Sequence, residues 1–91
     1  MFKTLEELIA VIRSRKVSST KDSYTNKLLN DKKFSIEKIK EEVAELIEAI
    51  EKNSNKIHES ADVLYHLMVL LEANGIKVED VMNELKKRQK K

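Results

Sequence analysis

Apolar residues recur along this chain at steps of three and four, the spacing that places side chains on one face of an α-helix. The first such stripe predicts a helix that begins at Thr4 and fades near Arg15. Thr4 and Glu7 have the spacing of a capping box, which supports that beginning. The stripe consists of Leu5, Leu8, Ile9 and Ile12.

A longer stripe predicts a second helix from about Ser35, its N-cap candidate, to about Asn53. Its alternating steps are those of a packing seam, so we expect this face to be buried against a neighbouring helix. The seam residues are Ile36, Ile39, Val43, Leu46 and Ile50.

The third predicted helix, from about Lys56 to Ala73, is apolar on almost every side. Between positions 61 and 71 the only groups expected to carry charge near neutral pH are Asp62 and His66. A helix of this kind is typically buried. Gly75 suits the left-handed position that ends such a helix.

Two further segments carry weaker patterns. A fourth helix is predicted over about residues 78–88, with inward-facing residues Val81, Met82 and Leu85. Residues 16–34 lack a sustained period, although a short helix around 23–29 would turn inward Tyr24, Leu28 and Leu29. The rest of that segment is either a substrate loop or a solvated linker, and composition leaves both interpretations open.

The composition favours an all-α fold. Among 91 residues there is no proline and one glycine, and 37% are charged, unlike a strand-rich domain with its frequent turns. We therefore predict one domain, residues 1–91, built as a small helical bundle of about four main helices with a basic tail at about 86–91. A chain this short buries a modest core, so we expect a homodimer to complete the bundle.

Charge and hydropathy narrow the setting. The net charge is +2, and the tail alone carries five positive charges, so the remaining chain is slightly acidic; this argues against nucleic-acid binding. The longest apolar run, residues 63–71, is too short to span a bilayer, and the first residues do not form a signal peptide. The lack of cysteine excludes disulfides and thiolate metal sites. We expect a cytoplasmic protein that binds no membrane.

Acidic residues flank the apolar stripes of the second and third predicted helices. Glu42 and Glu45 share one stripe, and Glu59, Asp62 and His66 fall close together on the other helix. Two antiparallel helices joined by a short turn lie side by side, so up to four carboxylates can face one gap. Carboxylates that lie so near one another disfavour joint ionisation unless a cation neutralises them. Oxygen ligands of this kind predict magnesium, with manganese as an alternative.

Several of these residues also fit a purely structural role. Glu41, like other acids on its helix, has lysines nearby and fits a solvated helix face. Taken alone, Glu42 and Glu45 fit a solvated face too. Asp62 differs because an acid inside an apolar run must be paired or functional. His66 is interpreted as a core histidine whose hydrogen bonds are satisfied, rather than as a metal ligand.

Several motifs resemble a known family. Glu42-x-x-Glu45, thirteen intervening residues, and then Glu59-x-x-Asp62 resemble the signature of the all-α, MazG-type nucleotide pyrophosphohydrolases. Segments 23–29, 38–45 and 59–67 are similar to motifs of the phosphoribosyl-ATP pyrophosphohydrolases of histidine biosynthesis. The resemblance extends from about position 5 to position 88, with the motifs in matching order and spacing.

The resemblance implies hydrolysis of phosphoribosyl-ATP to phosphoribosyl-AMP and pyrophosphate, with magnesium, by a homodimer that builds the site. It implies metal-ligating and catalytic roles for Glu42, Glu45, Glu59 and Asp62, with Glu41 as an additional contact. It also implies that Lys38 and Lys27 contact the phosphates of the small nucleotide substrate. Ser23 and Tyr24 would belong to a substrate loop. Lys40 stands where the family usually has glycine, which puts the fine positioning of substrate in question.

Two alternative functions stay open. A MazG-type hydrolase of canonical or damaged nucleoside triphosphates would carry the same four acids, although the segment Ser23-Tyr24-Thr25 argues against it. A non-catalytic helical dimerisation module would carry its acids as surface decoration, and the buried setting expected for Asp62 argues against that.

Overall fold

The computed structural model describes residues 2–17 and 23–89, and within them the chain forms five α-helices and no strand. Their bounds are α1 Lys3–Val17, α2 Tyr24–Asn30, α3 Lys32–Lys52, α4 Lys56–Ala73 and α5 Val78–Gln89. The all-α prediction is confirmed. Part of the predicted substrate loop (18–22) and the end of the basic tail (90–91) lie outside the described residues.

The count of about four main helices needs one refinement, since the segment before the second predicted helix is a helix of its own. Ser23 caps α2, its side chain accepting a hydrogen bond from the Asn26 backbone N–H. Asp31 then separates α2 from α3 and caps α3 by accepting from the Phe34 N–H. Ser35, predicted as that cap, instead lies inside α3 and is buried. Asp31 is the cap because its backbone is extended and its side-chain oxygen lies 3.0 Å from the Phe34 nitrogen.

The hydrophobic core lies between α1, α2, α4 and α5. Its buried residues are Ile9, Ile12, Leu28, Met68, Val69 and Val78. The α1 stripe therefore faces inward as predicted. On α5 the predicted inward-facing Val81 is half-buried, but the prediction was wrong for Met82 and Leu85, which are exposed, while Val78 is the buried residue. α5 touches the bundle mainly through its first turn, so later turns have little to pack against.

The α3 seam is only partly buried. Ile36, Ile39 and Leu46 are half-buried, whereas Val43 and Ile50 are exposed, contrary to the prediction. On α4, Leu64 is also exposed, so that helix is not buried on every side. Val43 and Ile50 are exposed because α3 packs on α4 and α2 alone, and no further helix of the described chain covers its outer face.

α3 and α4 form an antiparallel hairpin. Asn53 ends α3 in the left-handed conformation (φ 53°), and its N–H donates to the Ala49 and Ile50 carbonyls. Asn55 is also left-handed, a conformation that asparagine tolerates better than most side chains. Only positions 53–55 separate the two helices, so the turn fixes which residues of α3 lie opposite which residues of α4.

Arg13 ties three helices together. Its Nε donates to Glu72 of α4 at 3.0 Å, and its Nη atoms donate to both carboxylate oxygens of Glu79 of α5 at 3.0 and 2.7 Å. The Arg13 guanidinium lowers the pKa of Glu79 to about 2. Lys16 adds a 2.7 Å bond to the backbone carbonyl of Glu72, which is itself buried. Together these bonds hold α1 against the end of α4. Among the described residues, no helix is long and apolar enough to cross a membrane.

Leu28 should be essential for anchoring α2, because this seven-residue helix is too short to be stable without tertiary packing. Replacing the fully buried Leu28 by alanine is expected to lower the free energy of unfolding by about 2–5 kcal/mol. Leu85→Ala, at an exposed position, is the matched control and should change it by about 0.5 kcal/mol or less. Urea unfolding at one protein concentration measures both, and equal effects would contradict the position of α2 in the core.

Candidate functional site

The hairpin of α3 and α4 brings carboxylates together near its closed end. Glu42 and Glu45 lie one turn apart on α3, and Glu59 lies on the first turn of α4. One carboxylate oxygen from each lies within 4.8 Å of the others. The sequence predicted this meeting from the helical spacing of the acids, and for these three residues the structure shows it. We call this cluster the carboxylate gap.

Asp62 stands at one side of the carboxylate gap rather than deep inside it. It belongs to a second group with Glu59 and His58, whose donor atoms also lie within 4.8 Å of one another. The His58 Nε2 lies 3.3 Å from an Asp62 carboxylate oxygen, and 37% of the Asp62 side chain is exposed. The expected buried setting of Asp62 is therefore wrong. The apolar residues around it in sequence face other directions on the helix.

Within the carboxylate gap the buried acid is Glu42, which is only 8% exposed. Burial raises the pKa of its carboxyl, and the negative charge of Glu45 raises that pKa further. Burial likewise raises the pKa of Glu59, again with Glu45 as the next cause. Both shifts mean that the fold holds these carboxylates where ionisation is unfavourable.

Two carboxylate oxygens in the carboxylate gap, Glu42 Oε2 and Glu59 Oε2, are buried and have no hydrogen-bond partner in the described part of the chain. Buried carboxylate oxygens are normally paired, so a cation is the partner that their position favours. The donors are all oxygens, apart from the His58 nitrogen at the rim, and hard cations such as magnesium prefer oxygen ligands. The residues present fit a magnesium ion.

Glu41 lies apart from the two donor groups. It is exposed, and its nearest cation is Lys38, with Nζ 3.9 Å from a Glu41 oxygen. Across the described residues, the donor groups do not include Glu41. The structure thus places Glu41 on a solvated face beside the carboxylate gap, as its nearby lysines suggested.

α2 borders the carboxylate gap. The Tyr24 hydroxyl lies 2.9 Å from His66 Nε2, and Thr25 Oγ1 is hydrogen-bonded to the Tyr65 hydroxyl. Burial raises the pKa of Tyr24, and the charges of Glu42, Glu41 and Asp62 contribute to that shift. The hydroxyl therefore lies within electrostatic range of those acids. The roles in substrate binding expected for Ser23 and Tyr24 stay predictions.

The two lysines named from the sequence occupy different surroundings. Lys27 lies on α2 with its Nζ 4.3 Å from the centre of the Phe34 ring, a cation–π contact. Lys38 is half-buried on α3, beside Glu41. Among the described residues, the ion pair that Lys38 forms is with Glu41, and neither lysine is paired with Glu42, Glu45, Glu59 or Asp62. Lys40 is exposed.

The sequence analysis did not predict that His58 belongs to a donor group, or that His66 contacts α2. His58 pairs with Asp62 one helical turn later, and the i, i+4 spacing was the available signal. His66 was correctly predicted to be a satisfied core histidine: its Nδ1 lies 2.8 Å from the Asp62 carbonyl and its Nε2 contacts Tyr24. Its link to α2 could not be read from the sequence, because it depends on where a separate helix packs.

The fold and site together define an all-α protein with a cluster of carboxylates held between two antiparallel helices. Residues 5–89 match the family model described as phosphoribosyl-ATP pyrophosphohydrolase, so the chain belongs to that family.

Curated relatives agree with that assignment. The chain is 45% identical to the phosphoribosyl-ATP pyrophosphatase of Clostridium novyi, over 96% of this chain and 82% of the relative. It is also 45% identical to histidine biosynthesis bifunctional proteins of Pyrococcus furiosus, over 94% of this chain, and Arabidopsis thaliana (chloroplastic), over 93%. It spans 41% and 33% of the lengths of those two proteins, respectively.

The raised pKa values of Glu42 and Glu59 predict a definite pH dependence for the metal-free protein. A folded-state pKa above the unfolded value contributes stability below the unfolded pKa, about 4.3, and loses it as the pH rises through the folded pKa. Glu42→Gln removes one of these groups. With chelator present, the melting temperature of this variant relative to wild type should therefore rise as the pH increases from about 4 towards neutrality.

Glu79→Gln is a control whose melting temperature, relative to wild type, should change with pH in the opposite direction. Arg13 lowers the pKa of Glu79 to about 2, so this carboxylate stabilises the fold above its unfolded pKa and loses that effect as the pH falls towards about 2. The melting temperature of Glu79→Gln relative to wild type should fall as the pH rises over that window. If the melting temperatures of the two variants, relative to wild type, changed with pH in the same direction, the close approach of ionisable carboxylates in the carboxylate gap would be contradicted.

Proposed function

We propose that this chain hydrolyses phosphoribosyl-ATP to phosphoribosyl-AMP and pyrophosphate in histidine biosynthesis, with magnesium bound in the carboxylate gap. The observation that carries the proposal is the family match over residues 5–89, on a chain whose acids meet between α3 and α4. The names of the relatives support the same substrate and pathway. The proposed location is the cytoplasm, where the sequence analysis expects the chain.

Four acids are proposed to hold the metal: Glu42, Glu45, Glu59 and Asp62. The unpartnered buried oxygens of Glu42 and Glu59 support this assignment, because a bound cation would satisfy them. Magnesium supplies charge that polarises a phosphoryl oxygen and can orient water, and manganese has similar ligand preferences. Glu41, at the outer side of the carboxylate gap, is proposed as an additional contact.

Residues of α2 and α3 are proposed to bind the rest of the substrate. Lys27 and Lys38 are proposed to contact the phosphates, because lysine ammonium groups bind phosphate oxygens. Among the described residues, Lys27 lies against the Phe34 ring and Lys38 beside Glu41. Ser23 and Tyr24 are proposed to line the substrate side, at the point where α2 begins beside the acids. In this proposal the acids would hold the cation and the two lysines would contact the phosphates.

Three variants test the metal ligands. Glu45→Gln and Asp62→Asn should each lower turnover of phosphoribosyl-ATP more than about 100-fold, since even outer partners of metal ligands contribute about 10–100-fold. The rise in melting temperature that magnesium gives the wild type should shrink or vanish in both, because an ion bound only by the native state stabilises it. Glu51→Gln, an exposed acid on the same helix, is the control and should retain both properties.

The same assay separates the alternatives. Wild-type enzyme should hydrolyse phosphoribosyl-ATP in preference to a panel of canonical and damaged nucleoside triphosphates. Preference for those triphosphates would favour the broader MazG-type activity. No turnover of either, with a melting temperature that magnesium leaves unchanged, would favour a non-catalytic dimerisation module.

We also propose that the chain works as a homodimer. Val43, Ile47 and Ile50 form one stripe on α3, and each is substantially exposed in the single chain. Aligned exposed apolar residues of this kind mark interaction surfaces, and a second copy would cover them. The stripe belongs to the same helix as Glu42 and Glu45, so the interface would adjoin the site.

Sedimentation equilibrium at micromolar concentration tests the dimer. Wild-type protein should have twice the mass of one chain, and Ile47→Asp should shift it towards the monomer because a carboxylate would be buried in the interface. Val11→Asp places the same charge at an exposed apolar position on α1 and should leave the dimer intact. A wild-type monomer that is folded and active would rule out the proposed assembly.

A further inference from the structure

Two hydrogen bonds fasten the beginning of α2 to the middle of α4. The Tyr24 hydroxyl meets His66 Nε2 at 2.9 Å, and the Thr25 hydroxyl meets that of Tyr65. The rings also pack together: Tyr24 lies stacked on Tyr65 with centroids 6.4 Å apart, and meets His66 and Phe34 edge-on. Polar and aromatic contacts therefore act on the same end of α2.

The hydrogen-bond partners of His66 fix which of its nitrogens carries the proton. Its Nδ1 lies 2.8 Å from the backbone carbonyl of Asp62, and a carbonyl can only accept. Nδ1 of the neutral ring must then donate, which leaves Nε2 as an acceptor for the Tyr24 hydroxyl. The ring thus connects the helical turn that carries Asp62 directly to the first residue of α2.

α2 depends on such anchors for its position. A helix of seven residues is unstable alone, and its other strong anchor, Leu28, lies one turn further along. Ser23, which caps α2, and Lys27, on its first turns, move with whatever holds the beginning of the helix. His66 itself is 7% exposed, so its ring is held rigidly by α4 and its surroundings.

We propose that His66 is a positioning residue for this reaction: through the Tyr24 hydroxyl it holds the segment 23–27 beside the carboxylate gap. The proposal rests on the proposed function, in which that segment contacts the nucleotide. His66 touches neither substrate nor metal in this role. It sets where Ser23 and Lys27 stand relative to Glu42 and Asp62, and so acts on substrate binding.

Three single variants test the connection. Tyr24→Phe removes only the hydroxyl. His66→Asn keeps an amide at the place of Nδ1 but leaves nothing at Nε2, whereas His66→Gln places an amide oxygen where Nε2 accepts. Tyr24→Phe and His66→Asn should speed amide hydrogen exchange within residues 24–30 by about two- to tenfold, the effect of one net hydrogen bond. His66→Gln should retain most of the protection.

The double variant Tyr24→Phe/His66→Asn separates a direct bond from two independent contributions. If the hydroxyl acts through His66, the double variant should exchange no faster than the more affected single variant. Exchange in the α3–α4 hairpin, and the stabilisation of each variant by magnesium, should match wild type. Unchanged exchange of α2 in both single variants, or fully additive effects, would overturn the connection.

Steady-state kinetics with phosphoribosyl-ATP test the positioning role. Tyr24→Phe and His66→Asn should raise KM about fivefold or more with kcat within about twofold of wild type, and His66→Gln should restore KM. Faster exchange of α2 with an unchanged KM would reduce His66 to a structural residue and overturn the proposal. Wild-type enzyme that does not hydrolyse phosphoribosyl-ATP would instead refute the proposed function, and the catalytic relevance of His66 with it.

Discussion

Mutual repulsion between carboxylates is the constraint around which this chain is built, and the hairpin of α3 and α4 is what holds them together against it. The turn at positions 53–55 fixes the register of the two helices, so Glu42 and Glu45 must face Glu59. Burial then adds to the cost of ionising Glu42 and Glu59, whose pKa values are raised. A fold that keeps such an arrangement stores unfavourable electrostatic energy at one place, and a bound cation would relieve it.

The acidic residues near the two ends of α4 have different surroundings. Near its C-terminus, the buried acid Glu72 is matched by Arg13, which also binds Glu79 and joins α1 to α5. Near its N-terminus, Glu59 has a buried oxygen without a partner among the described residues. The chain has 18 lysines and arginines, yet within the described ranges none is paired with Glu42, Glu45 or Glu59. The uncompensated charge is therefore a property of that place in the fold and not of the composition.

The small size of the chain explains why α2 and α3 carry so much of the proposed function. The core is formed by α1, α2, α4 and α5, and α3 contributes mainly its packing on α4. This leaves one face of α3 free to carry acids and another free to carry the exposed stripe that a second copy would cover. α2 is short enough to need anchors on α4, and those anchors lie next to the acids.

Much of this protein could be predicted from its sequence, because helical periodicity is a local property. The stripe of α1, the bounds of α4, the short helix near Ser23 and the meeting of Glu42 and Glu45 with Glu59 all follow from spacing along one or two helices and a short turn. The family resemblance was also written in local motifs, and the comparisons confirm it.

Only the tertiary structure decided which faces are covered. Spacing shows that Val43, Ile50 and Leu85 lie on apolar faces, but it cannot show that no helix of the described chain packs there. It placed Asp62 in an apolar run, yet burial depends on direction, and the buried acids are Glu42 and Glu72. The bond from Arg13 to Glu72 spans 59 positions of the chain, and the bond from Tyr24 to His66 spans 42 positions. Contacts across such distances are set by how whole helices dock, and no local pattern in the sequence records that.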